Sequence, residues 1–464
     1  MPKRSERVFV CQSCGHEALR WLGRCPACDA WNTLVEEVRA VRPVGGKAAA
    51  QPGSPGWVAA SAARSLAQMG EAPVPRRSVG WDEFDRVLGG GLVAGSVILV
   101  GGEPGIGKST LLLQVAERYS RRHGRVLYVS GEESAEQIHL RAVRLGGDHK
   151  DVFVACENQV EAIAAAIREQ KPALVVIDSV QTLRLEGLES SPGSVAQVRE
   201  SVTALLHVAK GDQIPMLLVG HVNKQGALAG PKVLEHIVDV VLNFEGDAQM
   251  AYRLLRAAKN RYGSTHELGM FEMVGHGLVA VENPSAALLA ERLPGAPGSV
   301  VVCSIDGNRP LLLEVQALVS PTPFGGQPRR QVTGLDRDRV QIVLAVLEKR
   351  CGLKLGTQDV YVSLAGGVRG GEPALDLGVA LAVASSYQGA ALDAQLVVFG
   401  EIGLAGEVRA VPWAERRLVE SARLGFTRAL VPAGSRRQLA KAPDGIQFEG
   451  VTELAPRLKA ELRA

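Results

Sequence analysis

The residues with the clearest chemistry lie between positions 102 and 110. Gly102, Glu103, Pro104, Gly105, Ile106, Gly107, Lys108 and Ser109 satisfy the template G-x-x-x-x-G-K-[ST] at every fixed position, and Thr110 follows. An apolar run, SVILV, precedes the loop and a helical pattern, STLLLQVAERYSRR, follows it; this is the strand–loop–helix context such a loop requires. Glycines let the backbone wrap an anion so that successive N–H groups point inward, and the helix N-terminus adds a favourable dipole. In this arrangement Lys108 reaches the β and γ phosphates of a nucleoside triphosphate, the Ser109 hydroxyl ligates Mg²⁺, and Thr110 touches the phosphates. The alternative is a glycine-rich turn with a surface lysine.

A metal held this way needs an acidic partner. The run ALVVID ends on Asp178, 70 positions after Lys108, and Asp178 is expected to hold Mg²⁺ through water; the alternative is an aspartate capping the next helix. Hydrolysis also needs a group that activates water. Glu132 and Glu133 follow VLYVSG, and strand ends in such sheets face the ligand crevice. Glu132 is the candidate base and Glu133 the second choice, against the alternative that both are solvated acids at a helix start. His221, at the end of PMLLVGH, is a candidate γ-phosphate sensor, with a structural histidine bonded to backbone as the alternative. Lys259-Asn260-Arg261-Tyr262-Gly263 puts two cations around one amide directly after the run YRLLRAA. Such cations suit a phosphate or a neighbouring subunit's nucleotide; a basic hairpin turn is the alternative.

A second centre lies near the start of the chain. Cys11-x-x-Cys14 and Cys25-x-x-Cys28 are separated by ten residues. Two CxxC turns can place four thiolates tetrahedrally around Zn²⁺, and four sulfurs leave no open position, so the site is expected to be structural. Iron or a redox pair is the alternative. Trp21 and Trp31 flank the second pair and either pack on the site or dock a partner, and Arg20 and Arg24 add slight basic character. There is no apolar stretch of the kind a secretory signal carries behind the basic N-terminus, which points to a reducing, cytoplasmic compartment and to cysteines acting as metal ligands.

The elements that must position these residues follow from pattern and composition. The chain has 464 residues, 46% hydrophobic, 22% charged and only 4% aromatic. About three domains are expected at roughly 150 residues each, with cores of Val, Leu, Ile and Ala. No run of 18 apolar residues occurs, so no membrane span is expected. The net charge of +3 is too small for a globally basic nucleic-acid binder, which confines any such contact to local patches. Residues 1–42 form the cysteine module and 43–75 a linker rich in Ala, Gly, Pro and Ser. Residues 76–282 alternate β-branched apolar runs (SVILVGG, RVLYVSG, DVFVA, ALVVIDS, PMLLVGH, VVLNFE) with helical stretches, which predicts a mostly parallel sheet, strands buried on both faces and helices on both sides. Residues 283–464 form a second α/β domain.

The four-cysteine module, GEPGIGKST, YVSGEES, VVIDS and KNRYG, in that order, resemble the bacterial DNA repair proteins of the RadA (Sms) family across nearly the whole chain. Tyr262 replaces the phenylalanine of that family's KNRFG motif. The resemblance implies an α/β fold: a RecA-like P-loop ATPase core, a small N-terminal zinc module and a C-terminal Lon-protease-like domain of the ribosomal protein S5 domain 2-like fold. It further implies ATP, Mg²⁺ and Zn²⁺ as cofactors, a homohexameric ring, and DNA-dependent ATP hydrolysis driving branch migration in homologous recombination. The partners it implies are single-stranded DNA, branched recombination intermediates and the recombinase RecA. In that picture Lys259 and Arg261 act on the nucleotide of a neighbouring subunit. The other readings are an ATP-switched ring scaffold that recruits partners without translocation, and an ATP-dependent protease.

Against the protease stands the C-terminal sequence. Lon-type proteases use a Ser–Lys dyad with serine in a P-S-A-G setting. The similar segment here, Ala374-Leu375-Asp376-Leu377-Gly378, puts Asp376 at the serine, and the lysine position falls near Glu415. Without nucleophile and base the domain is expected to be a non-proteolytic scaffold and DNA-binding surface. Its DNA-contact candidates are Arg329 and Arg330, with Arg337 and Arg339; a run of solvated arginines balanced by Asp336 and Asp338 is the alternative. In the core, channel loops within 182–199 and 223–232 offer Arg184, Lys224 and Lys232 for salt-sensitive phosphate contacts, ordinary solvated loops being the alternative.

Overall fold

A computed structural model of the chain describes residues 5–11, 16–40, 75–221, 233–246, 252–323, 326–368, 370–439 and 443–462. Cys14, the linker up to residue 74, Asn223, Lys224 and Lys232 lie outside the described residues. Contacts divide the chain into two compact units, Met1–Ala280 and Val281–Ala464.

The first unit is built on nine strands: β1 (Val97–Gly102), β2 (Val126–Ser130), β3 (Val152–Cys156), β4 (Leu174–Asp178), β5 (Met216–His221), β6 (Val240–Glu245), β7 (Tyr252–Asn260), β8 (Leu268–Val274) and β9 (Gly277–Ala280). Their spatial order is β9-β8-β7-β6-β1-β5-β4-β2-β3. β1 to β6 run parallel, and β7 to β9 continue the sheet antiparallel. The helices are α1 (Asp82–Leu88), α2 (Lys108–His123), α3 (Ala135–Leu145), α4 (Val160–Gln170), α5 (Val195–Asp212) and α6 (Val233–Ile237).

The period-two alternation of strand side chains divides the core into two layers. Ile98 and Val100 of β1 face one side, where Leu111, Leu112, Val115 and Tyr119 of α2 pack with Tyr128 and Val176. Val97 and Leu99 face the other, where Ile163 and Ile167 of α4 and Val198, Val202 and Leu205 of α5 pack with Val129 and Ile177. β1, β2 and β4 are buried along their whole length. β3 corrects the expectation for the run DVFVA: among the described residues it is an edge strand paired only with β2, and Phe153 and Val154 are each 38% exposed. The guanidinium of Arg125 covers Phe153 at 4.4 Å.

In the cysteine module, Ser5–Cys11 pairs antiparallel with Leu34–Ala40, setting Cys11 opposite Leu34, and Glu17–Ala18 pairs on the other side.

The second unit has a seven-stranded sheet: β10 (Ser299–Asp306), β11 (Arg309–Pro321), β12 (Arg330–Thr333), β13 (Gln358–Leu364), β14 (Leu396–Val398), β15 (Arg428–Pro432) and β16 (Gln447–Val451), ordered β12-β13-β11-β10-β14-β15-β16. Its main helices are α7 (Arg337–Cys351), α8 (Asp376–Gln388) and α9 (Ala414–Arg423). α8 carries Ala, Val and Leu all round and is buried from Asp376 to Ser385, as an internal helix must be. Among the described residues, no helix is long and apolar enough to cross a membrane.

Candidate functional site

The phosphate loop leaves β1 at Gly102 and enters α2 at Lys108. Gly107 caps the helix with φ of 112°, a left-handed conformation that side chains resist. A Cβ there would also lie 2.7 Å from the Met273 methyl carbon, a contact that a flexible side chain can relieve, so it is the backbone conformation that calls for glycine. Lys108 is buried, and its Nζ donates to the carbonyls of Gly102 at 2.8 Å and Glu103 at 2.9 Å. Burial pulls its ammonium below the ordinary value, while the carboxylates of Asp178 and Glu132 oppose that shift. Ser109 and Thr110, in the first helical turn, are half-buried. The loop also has a partner outside the motif: the buried Arg253 of β7 donates to the Ile106 carbonyl at 3.3 Å.

Asp178 ends β4, opposite Ser130 of β2. It is buried and accepts a 2.8 Å hydrogen bond from the Tyr128 hydroxyl. Burial, reinforced by Asp178, pushes the Tyr128 phenol well above its ordinary value, so it stays a neutral donor that fixes the carboxylate. Next along the chain, Ser179 donates to Glu132 Oε1 at 2.5 Å. Glu132 thus stands with Asp178 on the same end of the sheet, close enough to act on the charge of Lys108. Glu133 is engaged elsewhere: Arg141 of α3 grips both its carboxylate oxygens at 2.7 and 2.5 Å. The division follows from local structure, because Ser134 and Gln137 form a capping box that starts α3 directly after the two acids. His221 is the last residue of β5, in register with Gly102.

Lys259 and Arg261 lie at the other end of the sheet. Val240 pairs with both Ile98 of β1 and Asn260 of β7, and Ile98 is four residues before Gly102, about 13 Å along the strand. Lys259 Nζ donates to the carbonyls of Glu235 at 2.5 Å and Val238 at 2.7 Å, around the end of α6. Burial, then Arg261, lowers its pKa. Arg261 donates to Asp239 Oδ1 at 3.3 Å and keeps about half its side chain exposed (53%). Asp239 is the organiser here: buried, it also accepts from the Val97 amide at 3.0 Å and Lys210 Nζ at 2.7 Å. Lys210 in turn donates to the Tyr262 hydroxyl at 3.1 Å, and Arg76 donates to the Tyr262 carbonyl.

In the cysteine module, the sulfurs of Cys11, Cys25 and Cys28 all lie within 4.8 Å of one another, and Cys11 and Cys28 are 3.7 Å apart. Four thiolates about 2.3 Å from one zinc ion sit about 3.8 Å from each other, so the described sulfurs fit a tetrathiolate zinc. Hydrogen bonds from the Cys11 amide to His16 and from the Cys25 amide to Ala30, both 2.9 Å, close the two turns. Trp21 and Trp31 are 55% and 69% exposed, so neither is buried against the site.

The DNA candidates separate. Arg184 and Arg329 are exposed. The Arg330 guanidinium donates to the carbonyls of Gln358 and, at 2.7 Å, Leu355. Arg339 grips Asp376 at 3.2 and 2.5 Å. Asp376 is buried, and burial raises its pKa against the pull of Arg339. Glu415 is exposed at the start of α9.

Three family profiles match the chain: a rubredoxin metal binding domain over residues 9–36, an AAA domain over 81–227 and the subunit ChlI of Mg-chelatase over 324–435. A KaiC-like protein of known structure from Pyrococcus horikoshii OT3 aligns with a TM-score of 0.38 at 20% identity, over 45% of this chain and 100% of its own. The chain is 47% identical to the DNA repair protein RadA of Bacillus subtilis (strain 168), covering 99% of both chains. It is 49% identical to that of Halalkalibacterium halodurans over 92% of this chain and 93% of that one, and 48% identical to that of Listeria monocytogenes over 98% of both. With a zinc ribbon, a RecA-like P-loop ATPase core and a Lon-like α/β domain in this order, and with relatives this similar along almost its entire length, the chain belongs to the RadA family of DNA repair proteins.

Proposed function

We propose that this DNA repair ATPase is a DNA-dependent motor: a hexameric ring that uses ATP hydrolysis to drive branch migration of recombination intermediates along single-stranded DNA. The supporting observation is the separation of Lys259 and Arg261 from Lys108 across the length of the sheet. Two cations held at the far end cannot serve the nucleotide of their own chain, but in a ring they can meet the nucleotide of the next. A cation supplied in trans stabilises charge on the transferred phosphoryl group and ties hydrolysis to the subunit interface, which a translocating ring needs.

Within this reading Lys108 exchanges its carbonyl partners for phosphate oxygens. Glu132 takes the proton of the attacking water, and Ser179 holds its carboxylate. Ser109 and Asp178 are the residues to hold Mg²⁺, whose charge offsets that of the phosphates. Tyr128 fixes Asp178, and Arg253 steadies the loop at Ile106. His221, whose backbone is in register with Gly102, is the residue to sense the γ-phosphate. The C-terminal domain is a non-proteolytic scaffold: Asp376 and Glu415 stand where a Lon-type dyad has its serine and lysine, and Asp376 is tied to Arg339. Its substrates are DNA strands in the cytoplasm, where it works beside the recombinase RecA.

The test is Lys259→Ala. It should keep nucleotide affinity within a few-fold while abolishing branch migration of a synthetic junction. Migration at the wild-type rate would overturn the role in trans, and an ATP-switched scaffold would then be the better reading.

A further inference from the structure

We infer that the core carries a second anion site, a basic cleft of about 670 Å³ lined by Arg77, His123, Arg125, Arg168, Lys171 and Asp212, which takes the phosphodiester backbone of a nucleic-acid strand. The inference rests on the proposed function for its ligand class. It adds a contact surface that the phosphate loop, the channel loops and the KNRYG turn do not include.

The cleft lies at the end of the sheet opposite the phosphate loop. Arg125 immediately precedes β2, Ala173 precedes β4 and Ile214 lies just ahead of β5, and all three line it. Arg77 enters from the segment that joins the linker to the core. Four fixed cations and one histidine thus face one carboxylate.

The ordinary explanation for cations here is the ends of α2, α4 and α5, each carrying about half a negative charge. That total is smaller than the cationic excess. Nor do the head groups of three of the four serve as caps. Among the described residues, the head groups of Arg168 and Lys171 meet no carboxylate and no carbonyl, and Arg125 meets only the face of Phe153. Arg330 and Arg76, by contrast, spend their guanidinium groups on carbonyls. Lys171 adopts φ of 47°, a left-handed cap position usually given to glycine or asparagine.

The ligand follows from what the cleft offers. Arginine forks bind phosphate oxygens in pairs. The lining has no open aromatic face for a base: Arg125 covers Phe153, and His123 packs on Tyr119 with ring centres 4.4 Å apart. Contacts would therefore be to phosphates, independent of sequence, and strongly salt-dependent.

The test compares the full-length protein with the triple variant Arg125→Ala/Arg168→Ala/Lys171→Ala. Fluorescence anisotropy with a labelled oligothymidylate is followed across a salt series. Loss of three phosphate contacts should lower the slope of log affinity against log salt by about 2, and weaken binding at least about tenfold at 0.1 M salt. DNA-free ATP hydrolysis and the thermal midpoint should stay at wild-type values. The double variant Arg168→Glu/Lys171→Glu, at two exposed positions, repeats the measurement if the triple variant melts early. An unchanged slope with intact wild-type binding overturns the cleft alone, and a wild-type protein that does not bind the oligonucleotide overturns the motor reading and the cleft together. A parallel titration with inorganic tripolyphosphate separates the ligand source: loss of that binding with DNA affinity unchanged would make the cleft a site for a free phosphate compound and refute the strand assignment.

Discussion

Glu132 and Glu133 are neighbours in sequence but are held by different partners. Ser179 holds Glu132 beside the phosphate loop, whereas Arg141 ties Glu133 to α3. A general base contributes roughly 10²–10⁴-fold to a rate, so Glu132→Gln should lower the ATP hydrolysis rate at least about 100-fold with nucleotide binding retained. Glu133→Gln breaks a partly exposed ion pair worth about 1 kcal/mol or less and should leave turnover within a few-fold; the reverse order in a steady-state phosphate-release assay would exchange their roles. Tyr128→Phe removes the hydroxyl on Asp178 and nothing else. Groups that orient a metal ligand are worth about 10–100-fold in affinity or activity, so the Mg²⁺ concentration at half-maximal rate should rise about tenfold or more, and an unchanged Mg²⁺ titration would refute the positioning role. Local spacing makes the phosphate loop and Asp178 readable in the sequence. Tyr128, Arg253 and Asp239 act across 50 to 147 residues of chain, and nothing in their own neighbourhoods advertises it. Arg330 and Arg339 show the converse: a basic cluster in the sequence is spent on carbonyls and on Asp376.

At the scale of elements, the six parallel strands and the helices between them are legible because β-branched runs alternate with helical periods. The position of a strand within the sheet is not. DVFVA reads like the buried runs around it, yet it forms the edge, because periodicity records what a strand can bury and not which neighbours it has. The cysteine module depends on its ligands in a way the larger elements do not. Among the described residues its buried cluster is Cys11, Cys25 and Leu34 with partly buried neighbours, and for so small a core metal binding is expected to supply most of the folding free energy. The wild-type protein should carry one zinc per chain, and Cys28→Ser should lose it while the thermal transition of the ATPase core is unchanged. Full zinc retention in Cys28→Ser, measured by atomic absorption, would refute the four-ligand site.

For the whole molecule, the proposed motor requires that one chain hold only part of the hydrolytic apparatus. The phosphate-loop end of its sheet carries Lys108, Asp178 and Glu132, while the opposite end carries Lys259, held by the carbonyls of Glu235 and Val238, and Arg261, held by Asp239. In the proposed ring, copies arranged head to tail would each complete the next, since a heterologous interface that closes makes a ring. DNA enters this scheme as the regulator, so the most direct measurement is the ATP hydrolysis rate with and without single-stranded DNA at two salt concentrations. A DNA-driven ring predicts strong stimulation at low salt that fades as salt rises, because phosphate contacts release counterions on binding. A measurable rate that is the same with and without DNA at both salt concentrations would contradict it.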